Sequence, residues 1–323
     1  MPAVRPGNGA AAGRFLLVFA ILCALGLATY FIGDAAMQEA AAFVTMLFVL
    51  PFTIGGLATL MTGQFGQPKA TVIVPLTLGV LIVGGVVLRE GMVCIAMLAV
   101  PWFFGALFGV LAVKGWRRAA TRAAGAVRTF SLGVLPLIGL ATEPLLPVTQ
   151  ETVTVTRSVA IDASAAEVWP VLLAMDAISE AEGRWTFAQS ILRVPRPTSA
   201  VVVGEGPGAR RLAEWGGRAR FEEVVTDWQP GRAMAWRFRF PDDSIQRYTD
   251  RHISPEGPIV RIERGGYALT PDGAGGTVLT LTTTYRIETP LNWYGKLWGE
   301  VLLGDVQANV LRIVADRAEE TMR

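Results

Sequence analysis

Cysteine and histidine are nearly missing from this chain of 323 residues: it has two cysteines and one histidine. Cys23 and Cys94 both fall in apolar runs, so neither a disulfide framework nor a cysteine-type metal site is available. His252 stands alone, which excludes histidine-rich metal sites and any relay that needs two imidazoles. A Ser-His-Asp triad could draw only on His252, and the G-x-S-x-G turn that presents a nucleophile is absent. No metal, no cofactor and no catalytic residue is assigned from these residues.

Charge is scarce in the first half. Residues 1–150 hold nine basic side chains (Arg5, Arg14, Lys69, Arg89, Lys114, Arg117, Arg118, Arg122, Arg128) and four acids (Asp34, Glu39, Glu90, Glu143), a balance of +5. The remainder holds 20 basic and 23 acidic residues, a balance of −3. The first half reads as membrane-embedded and the second as a soluble domain. That second balance gives no reason to expect nucleic acid as a partner.

What the first half does have is long apolar runs. Residues 1–13 are rich in glycine and alanine and read as disordered. Phe15–Gly33, Ala40–Met61, Thr71–Leu88 and Gly91–Val113 each approach the roughly 20 residues that cross a bilayer. Residues 14–148 are therefore expected to form an all-α transmembrane bundle of four to five helices. The basic segment Lys114–Arg128 reads as cytoplasmic under the positive-inside rule. Counting back over four spans puts Arg5 and Arg14 on the same side. Phe130–Val148 contains Pro136, Pro144, Pro147 and Glu143. Read as a fifth span, it puts the C-terminal domain outside the cytoplasm; read as an interfacial or re-entrant segment, it keeps that domain inside.

One pattern recurs in this half: Pro51 with Gly55, Pro75 with Gly79, and Pro101 with Gly105, joined by Gly109 as a G-x-x-x-G pair. Such spacing bends helices and lets neighbours approach closely. A channel or transporter bundle is one reading, and ordinary packing of small-residue helices is the other.

Residues 149–323 change period. Thr152–Ile161 alternates and is β-branched, a strand signature. Asp162 and Ser164 are capping types before a short helix at Ala165–Leu173, and Asp176–Glu182 is a candidate second one. Further strands are expected at Thr198–Gly204, Ala209–Trp215, Arg218–Trp228, Arg232–Phe240, Pro258–Thr270 and Thr277–Glu288, joined mostly by short glycine turns. Leu291–Glu320 then repeats apolar residues at helical spacing: Tyr294, Trp298, Val301, Leu302, Val306, Val310, Ile313 and Val314. Thr289 and Pro290 suit its start. Lys296/Glu300 and Arg312/Asp316 sit four apart, and Gly299 and Gly304 mark tolerated defects or close contacts. Hairpin-linked strands closed by one long helix make an α+β layer.

Several stretches resemble START-like domains of the polyketide cyclase/dehydrase type. They are Val159-x-Ile161-x-Ala163 with Glu167-Val168-Trp169, Gly208-Ala209-Arg210-Arg211, the run Phe221 to Arg232, and Gly275-Gly276-Thr277. Asn292-Trp293-Tyr294, Asp305-Val306-Gln307 and Ala315 to Glu319 are similar to an uncharacterised bacterial subgroup. The resemblance spans residues 151–320. It implies a helix-grip fold: a curved seven-stranded antiparallel sheet around the C-terminal helix, with a cavity between. It also implies a hydrophobic small molecule or lipid as ligand, since members bind lipids, sterols, hormones or polyketides and a minority catalyse cyclisation or dehydration. With the apolar half, it implies an integral protein of a bacterial inner membrane.

Trp169, Trp185, Trp215, Trp236, Tyr267, Tyr285 and Trp298 are the candidate walls of that cavity, against the alternative of a filled core. Glu222 and Glu223 lie mid-strand, so one points inward and needs a partner such as Arg211 or Arg237. The ligand-facing set therefore includes Arg211 and Glu223. A buried carboxylate there is either a tuned acid/base or half of a structural ion pair. Arg210-Arg211 and Arg237/Arg239 either meet an anionic head group or form a solvated face. Three functions follow: a membrane-tethered binding protein for an apolar ligand, a cyclase- or dehydrase-like enzyme, and a structural or interaction protein with a filled core.

Overall fold

A computed structural model describes residues 17, 19–28, 31, 43–62, 78–83, 85–86, 91–119, 125–245 and 254–320. The chain divides into two compact units, Met1–Pro147 and Val148–Arg323. The expected disordered segment 1–13, most of Thr71–Leu88 and His252 lie outside the described residues.

The first unit is helical. Its described elements are α1 (Phe19–Ala28), a π-helical turn (Thr45–Val49) running into α2 (Leu50–Thr62), α3 (Met92–Ala119) and α4 (Gly125–Thr142). Among the described residues one helical stretch, Met92–Trp116, is long and apolar enough to cross a membrane; Phe19–Ala28, Thr45–Leu60 and Ser131–Leu145 are shorter apolar helices. The recurrent Pro/Gly spacing serves close packing. A Cβ at Gly55 would collide with the Ala106 carbonyl of α3, and one at Gly109 with the Phe52 carbonyl of α2. Backbone therefore lies on backbone at both glycines, a contact that any side chain would break. The Trp102 indole N–H donates to the Met46 carbonyl at 3.0 Å across the same pair of segments.

Glu143 lies inside the first unit. It is buried, and its carboxylate accepts the Val44 and Thr45 backbone N–H groups, the latter at 2.7 Å. Those N–H groups open the helical segment that leads into α2, where an anion satisfies orphan donors and meets the positive end of the helix dipole.

The second unit is one antiparallel sheet with its long helix. Its elements are β1 (Thr149–Ile161), α5 (Ala165–Leu173), β2 (Ala174–Met175), α6 (Phe187–Ser190), β3 (Pro197–Val203), β4 (Arg210–Trp215), β5 (Ala219–Gln229), β6 (Ala233–Arg239), β7 (Val260–Pro271), β8 (Thr277–Thr289) and α7 (Asn292–Glu320). The strand order is β1-β8-β7-β6-β5-β4-β3-β2. The sheet thus has eight strands where seven were expected. The extra one is β2, whose two residues are too few to show any alternation. The candidate helix at Asp176–Glu182 is replaced by turns, with Ala177 at φ 46°, and the short helix comes later as α6.

β8 alternates buried and half-buried residues along all 13 positions, and β1 pairs with it over its full length. The buried face of the sheet and the inner stripe of α7 (Val310, Leu311, Ile313, Val314) share one core. Three glycines let the helix approach the sheet. A Cβ at Gly295, Gly299 or Gly304 would meet Ile287, the Tyr285 hydroxyl or the Arg157 guanidinium. Gly299 and Gly304 are thus close contacts, not tolerated defects.

The polar residues of α7 act as fasteners. Asn292 accepts from the Thr289 N–H at 2.7 Å and donates to the Thr149 carbonyl at 2.6 Å. Asp305 accepts the Ala188 N–H at 2.8 Å, and Asn309 accepts the Arg184 N–H at 2.7 Å. Gln307 donates to the Val155 carbonyl and the Thr283 hydroxyl, and Arg317 pairs with Glu182 at 2.6 Å. Arg312/Asp316 pair as expected at 2.6 Å. Lys296 and Glu300 instead reach β1, to Glu151 at 2.6 Å and Arg157 at 2.7 Å.

Candidate functional site

The register of β4 on β5 sets Arg211 directly opposite Glu223, both on the helix-facing side. Side chains alternate along a strand, so Glu222 points the other way and pairs with Arg210 and Arg239. Of the two candidate partners for the inward carboxylate, the structure selects Arg211. Its guanidinium donates to the Glu223 carboxylate at 2.6 Å, with Arg211 4% and Glu223 5% exposed. Arg237, on the opposite face, is exposed.

Tyr267 and Trp236 complete the centre. Tyr267 lies opposite Met234 on β6, and Trp236 lies opposite Gly265 on β7. A Cβ at Gly265 would fall 2.7 Å from the Trp236 ring, so the glycine makes the space that the indole fills. Trp236 sits 5.2 Å from the Tyr267 ring, and the Arg211 guanidinium lies 5.6 Å from the same ring, within cation–π reach.

Burial and charge act against each other here. Burial works against the Arg211 charge, but Glu223 and Tyr267 outweigh it and hold the guanidinium above its ordinary pKa. Burial pushes the Glu223 carboxyl up, with Arg211 pulling back. Burial likewise raises the Tyr267 hydroxyl, opposed by Arg211. Two donors in the centre have no hydrogen-bond partner among the described residues: Arg211 Nε and Trp236 Nε1.

A row of packed aromatic rings runs on from Trp236. Trp236 packs on Phe238 at 6.1 Å, Phe238 stacks on Phe240 at 6.1 Å, and Phe221 touches both phenylalanines. Trp215 meets Phe221 edge-on at 5.5 Å, and Trp169 meets Trp228 at 5.4 Å. Phe238, Phe240, Trp215 and Trp228 remain half-buried, whereas Trp169 is buried.

The nine expected site residues therefore separate. Arg211, Glu223, Trp236 and Tyr267 come together, with Trp215 and Trp169 packed in the same core. Tyr285 belongs to a second, smaller cluster with Val155 and Ile287; burial and then Glu300 push its hydroxyl up to about 12. Trp298 lies on α7 against Tyr294, at 6.5 Å. Trp185 is 66% exposed in the loop before α6 and lines no core. Phe221, Phe238 and Phe240 were not singled out from the sequence. The signal was present in the alternation Trp236, Phe238, Phe240, which puts three rings on one face.

Solved structures similar to part of this chain include the ZhuI aromatase/cyclase from Streptomyces sp. R1128 at 20% identity, covering 54% of this chain and 97% of that one, with a TM-score of 0.33. A norcoclaurine synthase mutant from Thalictrum flavum matches at 12% identity, covering 55% of this chain and 100% of that one, with a TM-score of 0.35. The di-domain ARO/CYC BexL of the BE-7585A biosynthetic pathway matches at 16% identity over 66% of this chain and 62% of its own, with a TM-score of 0.31. No curated protein matches the chain. Residues 152–319 match the family described as polyketide cyclase / dehydrase and lipid transport, and through them the chain belongs to that family.

Proposed function

We propose that this protein is a membrane-anchored receptor for a hydrophobic small molecule or lipid, taken up between α7 and the inner face of the sheet. One observation carries the reading. A row of packed aromatic rings adjoins a buried polar centre, Arg211 with Glu223 beside Trp236 and Tyr267, in which two donors lack partners among the described residues. Buried polar groups are otherwise almost always paired, and apolar sites with a few placed polar groups suit small-molecule binding. The family description, which couples cyclases and dehydrases with lipid transport, supports the same class of ligand. Met92–Trp116 supports one membrane-crossing helix, and the long apolar runs of residues 14–148 are what extend the anchor, in this reading, to four to five spans in a bacterial inner membrane. Tethering would let an apolar guest pass between bilayer and protein without crossing water.

Mass spectrometry of the intact chain, purified in lipid nanodiscs, tests the binding. The expected result is a stoichiometric apolar guest, or saturable uptake of an apolar fluorescent probe. A chain that carries none and accepts none overturns the reading. Reporter fusions at the C-terminus test the anchor: the five-span arrangement places the reporter outside the cytoplasm, and activity confined to the cytoplasm rejects it.

A second reading, a cyclase- or dehydrase-like enzyme, is favoured by one feature. Glu223 is a buried carboxyl that burial pushes above its ordinary pKa, a shift in the direction that suits a general acid. It predicts that Glu223→Gln abolishes turnover while binding persists.

A further inference from the structure

We propose that Glu223 sets the charge selectivity of this site, so that its ligand is an uncharged molecule with an acceptor oxygen, a ketone, ester or ether, and the anionic form of the same molecule is rejected. The inference rests on the binding reading above and goes beyond it by naming the ligand class and the residue that enforces it.

The argument starts from the donors. Arg211 Nε and Trp236 Nε1 are buried and without a partner among the described residues, and the two side chains lie near one ring, that of Tyr267, at 5.6 Å and 5.2 Å. Both can only donate. A guest seated among the aromatic rings must therefore bring lone pairs.

Charge then restricts which lone pairs are accepted. The positive charge of Arg211 is already met by the Glu223 carboxylate at 2.6 Å. The neighbouring charges on β4–β6 point to the other face, where Glu222 pairs with Arg210 and Arg239 and Arg237 is exposed. A carboxylate or phosphate entering the centre would be a second buried negative charge with no partner, a costly arrangement in low dielectric. A carbonyl or ether oxygen satisfies the donors and adds no charge. Glu223 touches the guanidinium that faces the guest, so it is a specificity-determining residue that works through Arg211.

The test uses the full chain in zwitterionic nanodiscs at neutral pH, with three probes that share one ring system: acetonaphthone, naphthoate and naphthalene. The wild-type chain is expected to bind acetonaphthone about tenfold or more tighter than naphthoate, and tighter than naphthalene. Glu223→Gln leaves Arg211 unmatched and is expected to invert the order in favour of naphthoate. Trp236→Phe keeps a ring but removes one donor; the affinity ratio of acetonaphthone to naphthalene should then fall toward one. That variant decides the matter if Glu223→Gln does not fold. Equal wild-type affinity for ketone and carboxylate, or an unchanged ratio in Glu223→Gln, overturns the inference and leaves the binding function standing. If none of the three probes binds, the inference falls, and the binding function falls with it only if the chain also carries no apolar guest.

Discussion

Glu143 closes the start of a helix that lies 98 residues earlier in the chain: its carboxylate accepts the Thr45 N–H at 2.7 Å, and the Val44 N–H as well. Side-chain caps contribute about 1 kcal/mol, within roughly 0.5–2. Glu143→Ala is expected to lower the stability of the helical unit by about that amount. Glu143→Gln, which keeps one acceptor oxygen, should cost less. Thermal unfolding in detergent separates the two, and an Ala variant as stable as the parent would remove the cap from the account.

The glycines of α3 and α4 predict opposite outcomes for one kind of substitution. At Gly109 a new Cβ meets the Phe52 carbonyl, a backbone atom that cannot yield. Gly109→Ala is therefore expected to destabilise the helix pair despite a helix-propensity gain of about 1 kcal/mol. At Gly133 in α4 nothing lies within 4 Å of the added carbon, so Gly133→Ala should keep the gain. Melting curves of the two variants that shift in the same direction would contradict this packing.

The buried pair of Arg211 and Glu223 predicts strong non-additivity. Removing one partner leaves the other charge buried alone, at a cost of about 3–5 kcal/mol. Replacing both, as in Arg211→Met with Glu223→Leu, should cost far less than the two single changes together. A double-mutant cycle by denaturant unfolding measures the coupling, and additive losses would mean that the two charges do not depend on each other.

The strap between α5 and α6 should loosen in acid. The Arg317 hydrogen bond, opposed by burial and helped by the Ser179 N–H, holds the Glu182 carboxyl below its ordinary pKa. A lowered carboxylate stabilises fully above the unfolded value of about 4.3, and that contribution fades as pH falls through the lowered value. Hydrogen exchange over residues 176–184, corrected for intrinsic rates, is expected to stay protected above pH ~5 and to lose protection below ~4. Arg317→Met should flatten that dependence; a profile unchanged by the substitution would detach the strap from this ion pair.

Most of the second unit was legible in the sequence because its signals are local. Alternation placed seven strands to within a few residues, glycine turns separated them, and helical spacing marked α7. Parity also narrowed the inward carboxylate to Glu222 or Glu223, and the apolar neighbours Phe221 and Val225 on the same face could have settled it. What stayed hidden depends on distant partners. Nothing near Glu143 in the chain points to Val44 and Thr45. Lys296 and Glu300 have the spacing of a helical pair, yet β1 offers each an opposite charge. β2 is too short to carry a pattern, and the turns after it make a candidate helix in the sequence because their residues suit either. Trp185 shows the limit of composition: a large ring suggests a wall, but only the fold reveals that it faces outward.

The two borders of the sheet differ. On one side the sheet stops at Ala174 and Met175, a row too short to serve as a template for another chain. On the other lies thirteen-residue β1, of which two carbonyls, Thr149 and Val155, already accept from side chains of α7. Growth of fibrils by strand addition would therefore have to begin at β1, and release of α7, more than loss of the sheet itself, is the event that would seed it.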